Sequence, residues 1–321
     1  MRVVVTGAGG FVGRHVVQAF TTAGHDVLGL GRSAFEPATP GVSSAAMLSL
    51  DGTNAAPSLA AALADADVVC HLAARVRVRE SREDPLGYWR ANLGGTAAVL
   101  GACRPSTRVV IASTCSVYAP SYDPIGEDAP LAPASPYAAT KLAADLLARD
   151  VATAGGPGVV SLRAFNVAGP GDSDTSRVVP ALLSRAGQPP PGVSSAAMLS
   201  PDGTNAASST PFRVNGDGSA VRDYLHVADI AEAFVAAVDA AEPGTWRAYT
   251  VGSGRGTSVA DLVATARRIT GADIPVEHGP AVDEPVRLVA DPARIHADLG
   301  WRATRSDPER IVADAWEALT R

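Results

Sequence analysis

The stretch TGAGGFVG, Thr6 to Gly13, follows a short apolar run and opens a helical one. It limits the possible folds more than any other segment. Gly7 allows a tight turn and Gly10 lets the backbone approach a pyrophosphate. Gly13 permits close helix–strand packing, with Phe11 and Val12 leading into the helix. The phosphates would rest on the helix N-terminus, where free N–H groups and the helix dipole favour an anion. The chain therefore begins as a dinucleotide-binding unit. At the end of the second strand, where an acid would hold a ribose 2′-hydroxyl, the chain reads Leu30-Gly31-Arg32-Ser33. Arg32 and Ser33 suit a 2′-phosphate, which leaves both NAD and NADP open. Asp51 and Gly52 follow the third strand and fit either the adenine amino group or a plain turn.

The pattern continues as alternation. VVVTG, HDVLGLG, DVVCHLAA, RVVIAST and VVSLRAF read as strands. FVGRHVVQAFTTAG, SLAAALADA, ANLGGTAAVLGAC and SPYAATKLAADLLARDVATAG read as helices between them. Near-continuous apolar strands separated by helices imply an α/β fold, a Rossmann-type doubly wound parallel sheet covered on both faces. Past Asn166 the chain turns rich in Pro and Gly, as in GPGD, GQPPPG and NGDGS. The expected division is a cofactor-binding domain over 1–165 and a smaller, loop-rich C-terminal substrate domain over 166–321. Residues 222–252 are expected to return to the first domain, with YLHVADIAEAFVAAVDAA helical and YTVGSG a strand. PGVSSAAMLSLDGTNAA (40–56) recurs as PGVSSAAMLSPDGTNAA (191–207), changed only at Leu50 and Pro201. The first copy sits where a third strand is due. The second reads as an inserted loop, because its proline disfavours a central strand.

Composition excludes several classes. A net charge of −6 offers no basic footprint for nucleic acid or an anionic membrane. No apolar run reaches membrane-spanning length, and the opening MRVVVTG reads as a strand rather than a leader. Cys70, Cys103 and Cys115 are too few and too scattered for a disulfide framework or a metal cluster, so no metal is expected and a reducing cytoplasm is the expected home.

SPYAATK, residues 135–141, holds the only lysine among 27 lysines and arginines. Ser135 suits an N-cap and Pro136 the first helical position. Tyr137 and Lys141 then share a helix face at i and i+4. A phenol with a pKa near 10 is a poor base at neutral pH, and lowering it by about three units needs about 4 kcal/mol of preference for the phenolate. A nearby ammonium, an oxidised nicotinamide and the helix N-terminus are expected to supply it. A compact ammonium also fits against a ribose where a planar guanidinium does not. Thr114 ends the preceding strand, placed to hydrogen-bond a substrate oxygen whose proton Tyr137 takes or gives.

Taken in order, TGAGGFVG, DVVCHLAA, ANLGGT, STCSVY, SPYAATK, RAFNVAGP and VRDYLHVAD resemble the extended short-chain dehydrogenase/reductase family. The likeness is to its UDP-galactose 4-epimerase-like nucleotide-sugar epimerases and covers nearly the whole chain. The resemblance implies that Tyr137 deprotonates a sugar 4-hydroxyl while C4 gives a hydride to the nicotinamide. A 4-keto sugar then turns and takes the hydride back on its other face. Thr114 would steady the oxygen, with Cys115 and Ser116 beside it on the substrate side. Lys141 would tune Tyr137 and bind the ribose. Leu72, Ala73 and Ala74 would line the cofactor, Asn92 would brace the active-site helix, and Asn166 and Arg222 would hold the nucleotide diphosphate. Dehydrating and decarboxylating relatives carry carboxylates just after the threonine. Cys115 and Ser116 fill those places here and argue against both. His226 reads as a packed residue. Ala281 stands where the family has a phosphate-binding arginine, a role Arg287 could take. The family also implies a homodimer. A 4-epimerase acting on a nucleotide-diphosphate hexose is the leading reading, with an NADPH-dependent reductase of a nucleotide 4-keto-deoxysugar as the alternative.

Overall fold

The computed structural model describes residues 1–31, 42–47, 56–187, 210–282 and 285–320. The first half alternates β1 (Arg2–Thr6), α1 (Phe11–Thr22), β2 (Asp26–Gly31), β3 (Val42–Met47), α2 (Ala56–Leu63) and β4 (Val68–His71). Two short helices follow, α3 (Val78–Glu83) and α4 (Pro85–Tyr88), then a π-helical turn at Trp89–Gly94 that runs into α5 (Gly95–Ala102). The half ends with β5 (Arg108–Thr114), a 3₁₀ turn at Cys115–Val117, α6 (Pro136–Thr153) and β6 (Gly158–Ala164). The second half contributes β7 (Asn166–Ala168), α7 (Val178–Leu183), β8 (Phe212–Asn215), β9 (Val221–His226), α8 (Val227–Ala236) and β10 (Trp246–Val251). It closes with β11 (Gly256–Ser258), α9 (Val259–Thr270), β12 (Val276–Gly279), β13 (Arg287–Leu288), α10 (Ala293–Leu299) and α11 (Pro308–Thr320).

Seven parallel strands form the main sheet in the order β3-β2-β1-β4-β5-β6-β10, the doubly wound arrangement expected from the sequence. Period-two alternation divides each strand between two cores. Val3 and Val5 join Val16, Phe20 and Phe234 on one face, while Val4 joins Leu59, Val99 and Ala148 on the other. Each such fully buried side chain contributes on the order of 1.5–3 kcal/mol relative to exposure. Strand order reverses between β1 and β4, and a crevice opens there at the carboxyl ends of the strands.

The smaller lobe covers that crevice. In it β9 pairs with β7, β11 and β13, and β8 pairs with β12. Its core lies among α7, α9 and α11, around Leu182, Leu262 and Ile311. After β9 the chain goes back to the main layer, where α8 packs on α1 and β10 extends the sheet beyond β6. No helix among the described residues is long and apolar enough to cross a membrane.

Two elements differ from the sequence reading. Tyr224–His226 belong to β9, and the helix starts only at Val227. His226 is the reason: its Nδ1 accepts the Ala228 N–H at 3.0 Å, so the residue serves as an N-cap rather than a helical turn. The ANLGGT helix begins with wide π turns, and Asn92 lies within them. The repeat at 40–56 overlaps β3, which occupies the expected third-strand place; its other residues, apart from Ala56 in α2, and the whole 191–207 copy lie outside the described residues.

Candidate active site

The turn after β1 is tight because Gly7 adopts φ 73° and its N–H bonds Leu30 O at 2.8 Å. A Cβ on Gly7 would lie 2.8 Å from Ala73 N, so β1 and the segment after β4 close together only over glycine. A Cβ on Gly13 would overlap the Gly7 carbonyl outright. Gly10 caps α1 with no side chain, and no acid stands in the first turn. The result is a bare helix N-terminus facing a cavity of about 1430 Å³. That exceeds the roughly 300–1,000 Å³ of a pocket for one small ligand. Gly7, Gly10, Phe11, Val12 and Gly13 line it, as do Leu72, Ala73 and Ala74. This cradle, which any side chain would fill, fits a dinucleotide pyrophosphate. Arg32, Ser33, Asp51 and Gly52 lie outside the described residues.

Thr114, Tyr137 and Lys141 meet on the same cavity. Ser135 starts α6 by accepting the Ala138 N–H at 3.2 Å, with Pro136 in the first turn. Tyr137 then faces the end of β5, where its phenol hydrogen-bonds Thr114. Thr114 Oγ1 is itself held by the Ser116 N–H and Oγ, each at 3.2 Å. Lys141, one turn along, is only 5% exposed. Burial pushes its ammonium down to about 8, opposed by the charge of Asp145. Burial pushes Tyr137 up to about 12, and neither the Thr114 hydrogen bond nor the Arg177 charge offsets it. The chain alone does not lower its base.

A polar chain that sequence reading missed runs beneath the cradle. Ala73 N–H donates to Thr6 Oγ1 at 3.3 Å, and Thr6 Oγ1 meets His71 Nδ1 at 2.8 Å. His71 Nε2 meets Thr96 Oγ1 at 3.2 Å, and that hydroxyl donates to Asn92 O at 2.7 Å. Since Thr96 spends its proton on Asn92, His71 must donate from Nε2 and accept at Nδ1. Burial and then the Lys141 charge push the imidazole down to about 3, which keeps it neutral. Asn92 continues the chain, bonding both backbone groups of Arg75 (2.8 and 3.0 Å) and Thr140 Oγ1 (3.0 Å). The π turns let Asn92 reach α6.

Asn166 and Arg222 also line the cavity. Asn166 Nδ2 donates to Asp223 O at 3.2 Å. Arg222 Nη1 donates to Val221 O (3.0 Å) and Pro285 O (2.8 Å). Cys115 and Ser116 are not among the lining residues; Cys115 is packed in a small core behind Thr114. His226 is buried and caps α8. Arg287 lies beside Gly256, while Arg177 and Arg213, which sequence reading did not single out, line the cavity. Arg177 pairs with Asp172 at 3.3 Å and stands 5.8 Å from the Phe11 ring. The loop before it grips the first helix: His15 Nε2 donates to Pro170 O (3.0 Å) and Arg14 Nη2 to Gly171 O (3.1 Å). Arg77 adds an ion pair to Asp174 at 3.2 Å.

Comparison with known proteins agrees with this architecture. The model of the NAD dependent epimerase/dehydratase family matches residues 3–252. A UDP-glucose 4-epimerase of Corynebacterium glutamicum is 34% identical over 98% of this chain and 95% of its own length. One from Streptomyces lividans is 35% identical, covering 98% and 94%. The Stenotrophomonas maltophila UDP-glucose-4-epimerase, solved with bound NAD and formylated UDP-arabinopyranose, superposes with a TM-score of 0.84 at 28% identity, covering 100% of this chain and 98% of that one. MoeE5, solved with UDP-glucose and NAD, gives 0.83 at 29%, covering 100% and 99%. With the glycine cradle and the threonine, tyrosine and lysine on one cavity, the chain belongs to the NAD dependent epimerase/dehydratase family.

Proposed function

We propose that the chain is a nucleotide-sugar 4-epimerase that uses NAD and acts on a UDP-hexose. The observation that carries this is the meeting of Thr114, Tyr137 and Lys141 on a cavity that also contains the glycine cradle. Tyr137 takes the proton of the sugar 4-hydroxyl and later returns it, while Thr114 fixes that oxygen. Lys141, held charged in a buried site, favours the phenolate and binds the nicotinamide ribose. Bound NAD supplies the hydride acceptor, the donor on return, and a positive ring charge that helps bring the phenol down. Asn166 and Arg222, which line the same cavity, hold the sugar nucleotide's diphosphate. The volume of about 1430 Å³ leaves room for both ligands. NAD, rather than NADP, follows from the relatives solved with it.

A homodimer and a reducing compartment complete the proposal. Leu86, Trp89 and Leu146 are exposed apolar residues on α4, the π turns and α6, which pack together. They support a self-association face. All three cysteines are unpaired thiols, which supports a cytoplasmic setting. The test is incubation with UDP-, TDP- and GDP-hexoses, reading C4 configuration by NMR together with nicotinamide absorbance. Inversion at C4 without net absorbance change is the expected result. Stoichiometric NADPH consumption with no inversion would instead identify a reductase.

A further inference from the structure

Behind Lys141 lies a buried ion pair that the reaction, as described, does not use. Asp145 follows Lys141 by one helical turn and is 1% exposed. Its Oδ2 accepts Ser113 Oγ and Arg163 Nε, both at 3.0 Å. Its Oδ1 accepts no hydrogen bond among the described residues. Arg163, 4% exposed on β6, passes the connection on through Nη1 to Tyr118 O–H at 3.1 Å. One carboxylate thus touches three elements: the helix carrying Tyr137 and Lys141, the strand whose next residue is Thr114, and β6.

Such a pair is expensive. Replacing a buried pair by apolar residues is often neutral or stabilising, so stability does not explain it. An amide oxygen could accept both hydrogen bonds, but it would balance neither the Arg163 guanidinium nor the ammonium one helical turn away. Among the described residues on this helix and on the elements packed against it, none of these offers such balance: His71 on β4 is neutral, Tyr137 on the same helix and Tyr118 beyond the 3₁₀ turn are raised phenols, Cys115 is a raised thiol, and Arg163 is a cation. The Asp145 carboxylate is the charge that opposes the burial of Lys141.

We propose that Asp145 is a positioning residue of the epimerase site: its buried carboxylate, anchored by Ser113 and Arg163 one helical turn from Lys141, keeps that ammonium charged and ties its helix to the strand end that carries Thr114. This rests on the role given to Lys141 above.

The sequence provides an unusual probe. Because Lys141 is the sole lysine, ¹³Cε/¹⁵Nζ-lysine labelling of the cofactor-bound protein yields one side-chain signal, titrated between about pH 6 and pH 11. In Asp145→Asn the midpoint should fall by about one unit or more. The alkaline limb of kcat should fall with it, so that kcat near pH 9 drops about tenfold more than kcat near pH 7. Asp145→Glu should bring both back toward wild type. Asp145→Asn combined with Arg163→Gln keeps a neutral hydrogen-bonded pair without the unbalanced buried guanidinium and should fold where the single variant does not; its midpoint should stay below that of wild type. An unchanged midpoint in Asp145→Asn, or a wild-type midpoint in the double variant, overturns the proposal, because a purely structural pin would shift melting and not the lysine titration. The titration needs no substrate, so its failure is separate from a failure to invert C4.

Discussion

Replacing Gly13 by alanine adds one methyl group at the point where α1 crosses the turn after β1. That Cβ would overlap the Gly7 carbonyl oxygen and lie 2.9 Å from the Gly7 carbonyl carbon and 3.0 Å from Ala8 Cα. Carbon pairs rest at about 3.5–4.0 Å, so the helix must back away from the turn by at least about 0.6 Å. No flexible side chain can give way, since the atoms met are backbone. Overpacking of this kind costs about 1–3 kcal/mol, against a helical gain for alanine over glycine of about 0.5–1 kcal/mol. The net loss should be up to about 2.5 kcal/mol, measured by urea unfolding of cofactor-free protein so that lost NAD binding is kept apart from lost folding. NAD titration should then show affinity falling at least about tenfold, because the displaced turn carries the N–H groups that meet the pyrophosphate. Gly101→Ala is the internal control. Gly101 is exposed on α5, and its added Cβ meets nothing within 4 Å. That variant should gain about 0.5–1 kcal/mol and keep NAD affinity. If Gly13→Ala and Gly101→Ala both stabilise, or both bind NAD alike, the argument from close approach is wrong.

Tyr137→Phe should lower turnover by two or more orders of magnitude at unchanged melting temperature, since the phenol has no described side-chain partner beyond Thr114; near-normal turnover would remove it as the base. Asp223→Ala should destabilise the protein by about 3 kcal/mol or more in urea, because its carboxylate accepts Ser253 N (2.9 Å), Ser253 Oγ (2.6 Å), Gly254 N (2.9 Å) and Ala290 N (3.2 Å) at a fully buried site. Lys141→Met should inactivate the enzyme yet stabilise it at neutral pH. The lysine drops from 10.5 unfolded to about 8 folded, so below about pH 8 both states are protonated and burial of the charge costs about 3 kcal/mol. That cost fades as pH rises from about 8 to 10.5, and the stability gap between variant and wild type should close over the same window; a constant gap would contradict the assigned shift.

The main sheet and the cradle were legible because both are local. Apolar runs, turn glycines and an N-cap serine act within a few residues of themselves, and TGAGGFVG and SPYAATK state their geometry directly. Tyr224–His226 misled because apolar spacing there suits either a strand end or a helix start, and only the His226 Nδ1 bond to Ala228 decides. His71, Thr96, Asp145 and Arg163 carried no visible signal. Each is an ordinary residue in its own segment, and its side-chain partners lie 18 to 65 positions away along the chain. Sequence spacing reveals the cation beside the phenol but not the depth at which the phenol is buried.

The grip of Pro170 and Gly171 on His15 and Arg14 reaches beyond the site's geometry. On the proposed function, a dinucleotide on the α1 N-terminus would lie under a bridge whose far pier is the smaller lobe. Its departure would then require that bridge to lift, while exchange of the sugar would not. A redox carrier that ends each cycle as it began has no errand outside, and the fold treats it accordingly, as resident equipment rather than traffic.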